Sequence, residues 1–276
     1  MSKEAKVNLT LTDIGSVSES LGPLFSALRA SWILSSQDTD VDTNGSRLSA
    51  QSDILDLRIY EDSGCSGIKC WVTDNKLPTR FNDDNPPANL VVSYDDISIT
   101  LLLVAIADHL DFSSLRSLKI SSCYGLEDYV LALFMNLIKL NTISISDNYG
   151  TFTNFFKVFQ KQGSDTTSPS FPALRSVHLN NIDFDGSRAG RADDAVRTLI
   201  TAFEDRKSSH PIRQLTISNC INFSEAHWKD LRASSISEDV DMEWDEYEDI
   251  RQYSDYDDYD YYDDHNDFDT FGYISD

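Results

Sequence analysis

A short phrase recurs along this chain of 276 residues, and it restricts the fold more than any other feature. Leu115-Arg-Ser-Leu118-Lys-Ile120-Ser-Ser-Cys123 carries apolar residues at its first, fourth and sixth places and Cys at its ninth. Leu140-Asn-Thr-Ile143-Ser-Ile145-Ser-Asp-Asn148 repeats it with Asn at the ninth. Leu174-Arg-Ser-Val177-His-Leu179 and Ile212-Arg-Gln-Leu215-Thr-Ile217-Ser-Asn-Cys220 repeat it again, and Ile54-Leu-Asp-Leu57-Arg-Ile59 is an earlier copy. From Leu115 onward the copies start 25, 34 and 38 residues apart. The gap of 61 residues between Ile54 and Leu115 leaves room for one degenerate unit around Leu90-Val-Val-Ser-Tyr94.

Alternation at the fourth and sixth places is the pattern of a short strand with one buried face. Successive units stacked side by side make a parallel sheet, and each pair of parallel strands needs a crossover between them. The intervening segments supply helices at apolar spacing. Asp95 to Leu110 lines up Ile99, Leu102, Leu103, Ile106 and Leu110. Leu126 to Lys139 lines up Val130, Leu133, Phe134, Leu137 and Ile138, and Ala192 to Lys207 lines up Val196, Leu199, Ile200 and Phe203 behind the acidic start Asp193-Asp194. Further helices are expected at Leu21 to Leu34, Phe152 to Lys161 and Ser224 to Ala233, and strands at Val7 to Leu11 and Val240 to Trp244. The expected fold is therefore α/β: a leucine-rich-repeat-like solenoid over residues 1–245, with parallel strands on the concave face and helices on the convex face.

Charge divides the chain at that boundary. Glu238 to Asp276 holds 17 acidic side chains and one basic one, Arg251, and accounts for most of the net charge of −23. Residues 246–276 are expected to be a disordered acidic tail, because Asp255 to Asp276 interleaves Asp with Tyr and has almost no aliphatic residue to bury. A field of this sign repels nucleic acid and anionic membranes and favours basic protein surfaces. The first residues, Met1-Ser-Lys-Glu-Ala-Lys-Val, contain no apolar core of signal-peptide length, and no run of about 18 apolar residues occurs. Four cysteines make no disulfide framework. A monomeric cytoplasmic or nuclear protein is expected.

Pro23-Leu-Phe-Ser-Ala-Leu-Arg29, Phe171-Pro-Ala-Leu-Arg-Ser-Val-His-Leu179 and Ile212-Arg-Gln-Leu-Thr-Ile-Ser-Asn-Cys220 resemble the leucine-rich-repeat regions of fungal F-box-type proteins. The ending Val240-Asp-Met-Glu-Trp244 does so too, and the resemblance spans roughly residues 5 to 245. In that family the repeats select a substrate while an N-terminal F-box docks a cullin-based ubiquitin ligase. Repeat-like sequence begins near residue 7 here, which leaves no room for an F-box before it. What the resemblance implies is a substrate-recognition region without its F-box. A repeat domain followed by an acidic tail also resembles the acidic leucine-rich nuclear proteins that bind histones, which makes the tail the alternative site for basic partners.

The repeat assigns a binding face. Its third, fifth and seventh places should line the concave side: Asp56, Arg58 and Tyr60; Ser117, Lys119 and Ser121; Thr142, Ser144 and Ser146; Ser176, His178 and Asn180; Gln214, Thr216 and Ser218. His178 is expected there as a solvated side chain. Solenoids use such surfaces for extended protein contacts. At the ninth place Cys123, Asn148 and Cys220 should point inward at the strand exits. Other chemistry finds little purchase. Asp40-Val-Asp42-Thr-Asn44-Gly45 opens like a calcium loop, but its twelfth place is Gln51, so it reads as a polar surface loop. Cys65 and Cys70 match half of a zinc site with no second pair nearby. Acid pairs such as Asp83-Asp84 and Asp95-Asp96 fit turns, and no nucleophile elbow, phosphate loop or dinucleotide fingerprint occurs. No enzyme, metal or cofactor is expected.

Overall fold

In the computed structural model Leu57, Leu118, Ile143, Val177, Leu215 and Met242 stand side by side in register on six neighbouring strands, all buried. The structure describes residues 7–11, 22–24, 26–27, 54–62, 65–71, 88–95, 99–107, 109–121, 123, 126–160, 169–185 and 192–251. The loop from Asp40 to Gln51, most of the expected Leu21–Leu34 helix and the run from Asp255 to Asp276 lie outside them.

The strands are β1 (Val7–Leu11), β2 (Asp56–Asp62), β3 (Cys65–Trp71), β4 (Leu90–Asp95), β5 (Ser117–Ser121), β6 (Thr142–Ser146), β7 (Ser176–Asn180), β8 (Gln214–Ser218) and β9 (Asp241–Trp244). They form one sheet in the order β1-β4-β3-β2-β5-β6-β7-β8-β9. From β2 through β5 to β9 every pairing is parallel, as the repeat requires. The other end departs from the expectation. β3 runs antiparallel to both β2 and β4, so the Leu90 segment is not a unit between β2 and β5 but lies two strands to the far side of β2. Only two residues separate β2 from β3, enough for a hairpin and far too few for a parallel crossover. The same strand removes the half zinc site: Cys65 and Cys70 are its register partners of Asp62 and Leu57, five residues and about 16 Å apart along an extended chain.

Helices α1 (Ile99–Ala107), α2 (Asp128–Leu131), α3 (Tyr149–Gln160), α4 (Ala192–Arg206) and α5 (Glu225–Ala233), with a 3-10 turn at Ser235–Glu238, pack their apolar residues into one cluster with the fourth- and sixth-place side chains. The helix expected from Leu126 to Lys139 is cut short. After α2 the amides of Leu133, Phe134 and Leu137 donate to carbonyls three residues back, at 3.1 Å each. With about three residues per turn instead of 3.6, Val130, Leu131 and Phe134 stay buried while Leu133 and Ile138 turn outward. α5 is held at its start by an unusual capping pair. The amide of Ser224 donates to Nδ1 of His227 at 3.1 Å, which leaves Nε2 to donate to Asp193 on α4, also at 3.1 Å. A line of rings, Phe152–Phe184–Phe223–Trp244, runs across consecutive units with centroids 5.6, 5.0 and 5.6 Å apart.

The ninth-place residues divide. Cys123 and Cys220 are buried, and their thiols donate to the carbonyls of Ser121 and Ser218 at 3.2 and 3.4 Å. Asn148 instead caps α3, its Oδ1 accepting from the amide of Thr151 at 2.8 Å. Burial pushes the thiols of Cys123 and Cys220, and that of Cys70 on β3, up to about 12. At pH 8 the thiolate fraction is then about one in ten thousand. All three should react with a thiol reagent at least roughly a hundredfold more slowly in the folded chain than in denaturant. Mass analysis of quenched, digested samples checks this; rapid native labelling of Cys123 or Cys220 would show that they do not face the core.

Residues 246–251, placed in the tail by composition, belong to the folded body. Asp249 bridges Ile221, the amide of Asn222 donates to Asp249 at 2.8 Å, and the amide of Arg251 donates to Asn222 Oδ1 at 2.7 Å. Paired backbone groups hold this segment despite its charge. Among the described residues no helix is long and apolar enough to cross a membrane.

Candidate functional site: the polar face of the sheet

The helices and the core cluster occupy one face of the sheet. The other carries the third, fifth and seventh places in three in-register rows. The first row is Asp56, Ser117, Thr142, Ser176, Gln214 and Asp241; the second is Arg58, Lys119, Ser144, His178, Thr216 and Glu243; the third holds Tyr60, Ser121, Ser146, Asn180 and Ser218. Every residue that the repeat assigned to a common face therefore shares one. β3 and β4 extend it with Lys69 opposite Arg58, Gly67 opposite Tyr60, and Ser93 beside Gly67.

Sharing a face did not mean sharing solvent. His178, expected to be solvated, is only 3% exposed. Asp56, Lys119, Ser121, Ser144 and Ser146 are also buried, while Arg58, Tyr60, Ser117, Asn180, Gln214 and Thr216 are half-buried. Strands stand about 4.8 Å apart, so side chains on one face shadow each other, and short hydroxyls between longer neighbours lose most of their contact with water. Burial pulls the His178 ring below its usual pKa and keeps it neutral. Neither of its nitrogens has a hydrogen-bond partner among the described residues. The same holds for the buried Nε of Arg58 and the Oγ of Ser121.

Local contacts order the two ends of the face. At one end the Tyr60 ring lies across Gly67, where any Cβ would stand 2.6 Å from the ring and 2.7 Å from the carbonyl oxygen of Val92. Its hydroxyl meets Ser93 Oγ at 3.2 Å, and Lys69 Nζ sits 5.0 Å from the ring centre. At the strand exits the eighth place adopts left-handed backbone in four successive units: Asp147 (φ 66°), Asn181 (51°), Asn219 (52°) and Glu246 (60°). Three of these are Asp or Asn, the side chains that best tolerate this region. They are also laced together. Asn181 Nδ2 donates to Asp147 at 2.7 Å, Asn219 Nδ2 to Asn180 at 3.0 Å, and the Asn219 amide to Asp245 at 2.7 Å. The residues missed in sequence are thus Lys69 and Gly67, whose strand was unread, Ser93, whose strand was read as a unit in another place, and the eighth-place turn, where Asp147, Asn181 and Asn219 directly follow the seventh place.

Charge varies along the face. Lys69, Arg58 and Lys119 are consecutive across β3, β2 and β5, followed by the small polar residues of β6 to β8, and then by Glu243 on β9. Among the described residues of this face no hydroxyl or thiol is hydrogen-bonded to a histidine. No protein-family model, curated protein or solved structure matches this chain.

Proposed function

We propose that the chain is a non-enzymatic protein-recognition module, a leucine-rich-repeat-like solenoid that receives an extended segment of another protein along its polar sheet face. The observation that carries this is the face itself: three in-register rows of polar side chains, of which Arg58, Tyr60, Asn180, Gln214 and Thr216 remain half-open to solvent. Backbone amides and carbonyls of a bound segment pair with these half-open side chains. The charge gradient gives the segment a direction, its acidic end over Arg58 and Lys119 and its basic end over Glu243, about 24 Å away across five strand spacings. The resemblance to F-box-type repeats is consistent with such a partner being a substrate delivered for modification.

Peptides selected from a displayed random library against the full-length chain provide the test. Thr216→Arg and Ser176→Arg fill the face, whereas Lys229→Glu alters the exposed side of α5. The selected peptides should bind the two face variants at least about tenfold more weakly and the control unchanged. Equal weakening by Lys229→Glu, or no selectable peptide, defeats the reading.

A further inference from the structure

Among the described residues nothing pairs with the outer edge of the last strand of the sheet. β9 pairs on one side with β8, through the amides of Asp241 and Asp245, which donate to the carbonyls of Arg213 and Ile217 at 2.8 and 3.3 Å. Backbone groups alternate sides along a strand, so the N–H and C=O of Met242 and Trp244 point away from β8. None of these four groups has a hydrogen-bond partner among the described residues. Among the described residues the chain does not fold back over the edge. It turns at Glu246 and leaves the sheet to bridge Ile221 through Asp249. A cavity of about 920 Å³ opens beside the strand, with Thr216, Glu243, Trp228, Arg232 and Trp244 among its lining residues.

Proteins normally blunt such an edge, because unpaired backbone groups are a template for another strand. The side chains here define which strand fits. Asp241, Glu243 and Asp245 alternate on the polar face and are exposed; Met242 and Trp244 alternate on the other, beside Trp228. We propose that β9 accepts an added β-strand from a partner protein, an extended segment with Lys or Arg at every second position and apolar residues between. Its cations face the three carboxylates, its apolar residues reach toward Trp244 and Trp228, and its backbone pairs with Met242 and Trp244. A second copy of this chain is a poor occupant, since two β9 edges would set carboxylates opposite carboxylates. The chain's own Asp-rich end carries the same sign and is repelled likewise.

The proposed strand lies along the edge of the sheet rather than across its polar face, although both readings use Glu243, and only edge pairing depends on one alternate set of the peptide's backbone amides. A fluorescent seven-residue peptide alternating Lys and Val is titrated against the full-length protein by anisotropy, with a peptide of equal composition but clustered lysines as control. Two further versions carry N-methyl groups on one or the other alternate set of backbone amides. The alternating peptide should bind at least about tenfold more tightly than the clustered one, and Glu243→Lys should weaken it by about tenfold. One N-methylated version should lose binding and the other keep it, because only one set of amides faces the edge. Purely ionic attraction to the acidic chain treats both versions alike, and that result overturns the proposal. So does equal binding of the clustered peptide, or a homodimer that competes with the peptide in sedimentation. Circular dichroism and melting temperature confirm that the Glu243→Lys chain is folded.

Discussion

Leu118→Ala and Leu215→Ala should each destabilise the chain by about 2–5 kcal/mol, because each removes core contacts and leaves a void that its neighbours fill only in part. Both side chains are at most 1% exposed and stand in the row that joins Leu57, Ile143, Val177 and Met242 across the sheet. Each of the two strands is flanked by two others, so the backbone has little freedom to collapse into the void. Ser117→Ala and Ser144→Ala, one residue before Leu118 and one after Ile143, point to the opposite face and should cost less than about 1 kcal/mol. For a folded body of this size each kcal/mol moves the melting temperature by about 2–4 °C. Equal losses at the leucines and the serines, in urea titrations with unchanged slope, would place the buried face on the wrong side of the sheet.

This contrast was legible in the sequence because strand alternation is local. Leu118 and Ile120, or Leu215 and Ile217, declare their face within three residues, whatever the rest of the chain does. Three other features depended on longer-range information. β3 went unread because Cys65-Ser-Gly-Ile-Lys-Cys-Trp71 shows only two aliphatic or Cys positions of the right parity, and its Gly67 looks like a breaker. That glycine makes sense only once the Tyr60 ring is known to lie on it. His178 shows the second limit: register fixes the face to which a side chain belongs, not how much of that face its neighbours enclose. The third is the helix after Leu126, where the spacing of Val130, Phe134, Leu137 and Ile138 suits 3.6 residues per turn, yet the chain winds more tightly. The candidate site followed the same division. The membership of the face was readable from the repeat, whereas its enclosed unpaired atoms and its open edge arise from tertiary packing.

Arg206→Ala should be at least as damaging as any single core truncation, at about 3 kcal/mol or more. In sequence Arg206 looks like a cation closing the last turn of α4, where it would offset the helix dipole at the surface. In the fold it is 4% exposed. Its guanidinium donates to the carbonyl of Ser170, to that of Phe171 at 2.8 Å, and through Nε to that of His210 at 3.3 Å, while its carbon sits 4.4 Å from the Phe159 ring centre. One side chain thus ties the end of α4 both to the segment entering β7 and to the loop entering β8. Truncation removes three charge-assisted hydrogen bonds and a ring contact at once, which is how a single change exceeds the usual cost of one hydrogen bond. Arg206→Lys keeps the charge but offers no planar fork for two carbonyls, so it should recover less than half of the loss. The pH dependence separates this from an ion pair. Burial, then the neighbouring Arg175, pulls the guanidinium down from 12.5 to about 10. A base with a lowered folded pKa destabilises while it is charged in the fold, and that penalty is relieved only as pH rises from about 10 toward 12.5. Below that window it is constant. No carboxylate pairs with Arg206 among the described residues. The loss caused by Arg206→Ala, measured by urea unfolding, should therefore be the same at pH 6 and pH 8 and unchanged by 0.5 M salt, a concentration at which surface pairs are screened within about 4 Å. A loss that shrinks with salt, or stays below about 1 kcal/mol, would mean that these carbonyls find water when the guanidinium is gone and that α4 is not anchored through it.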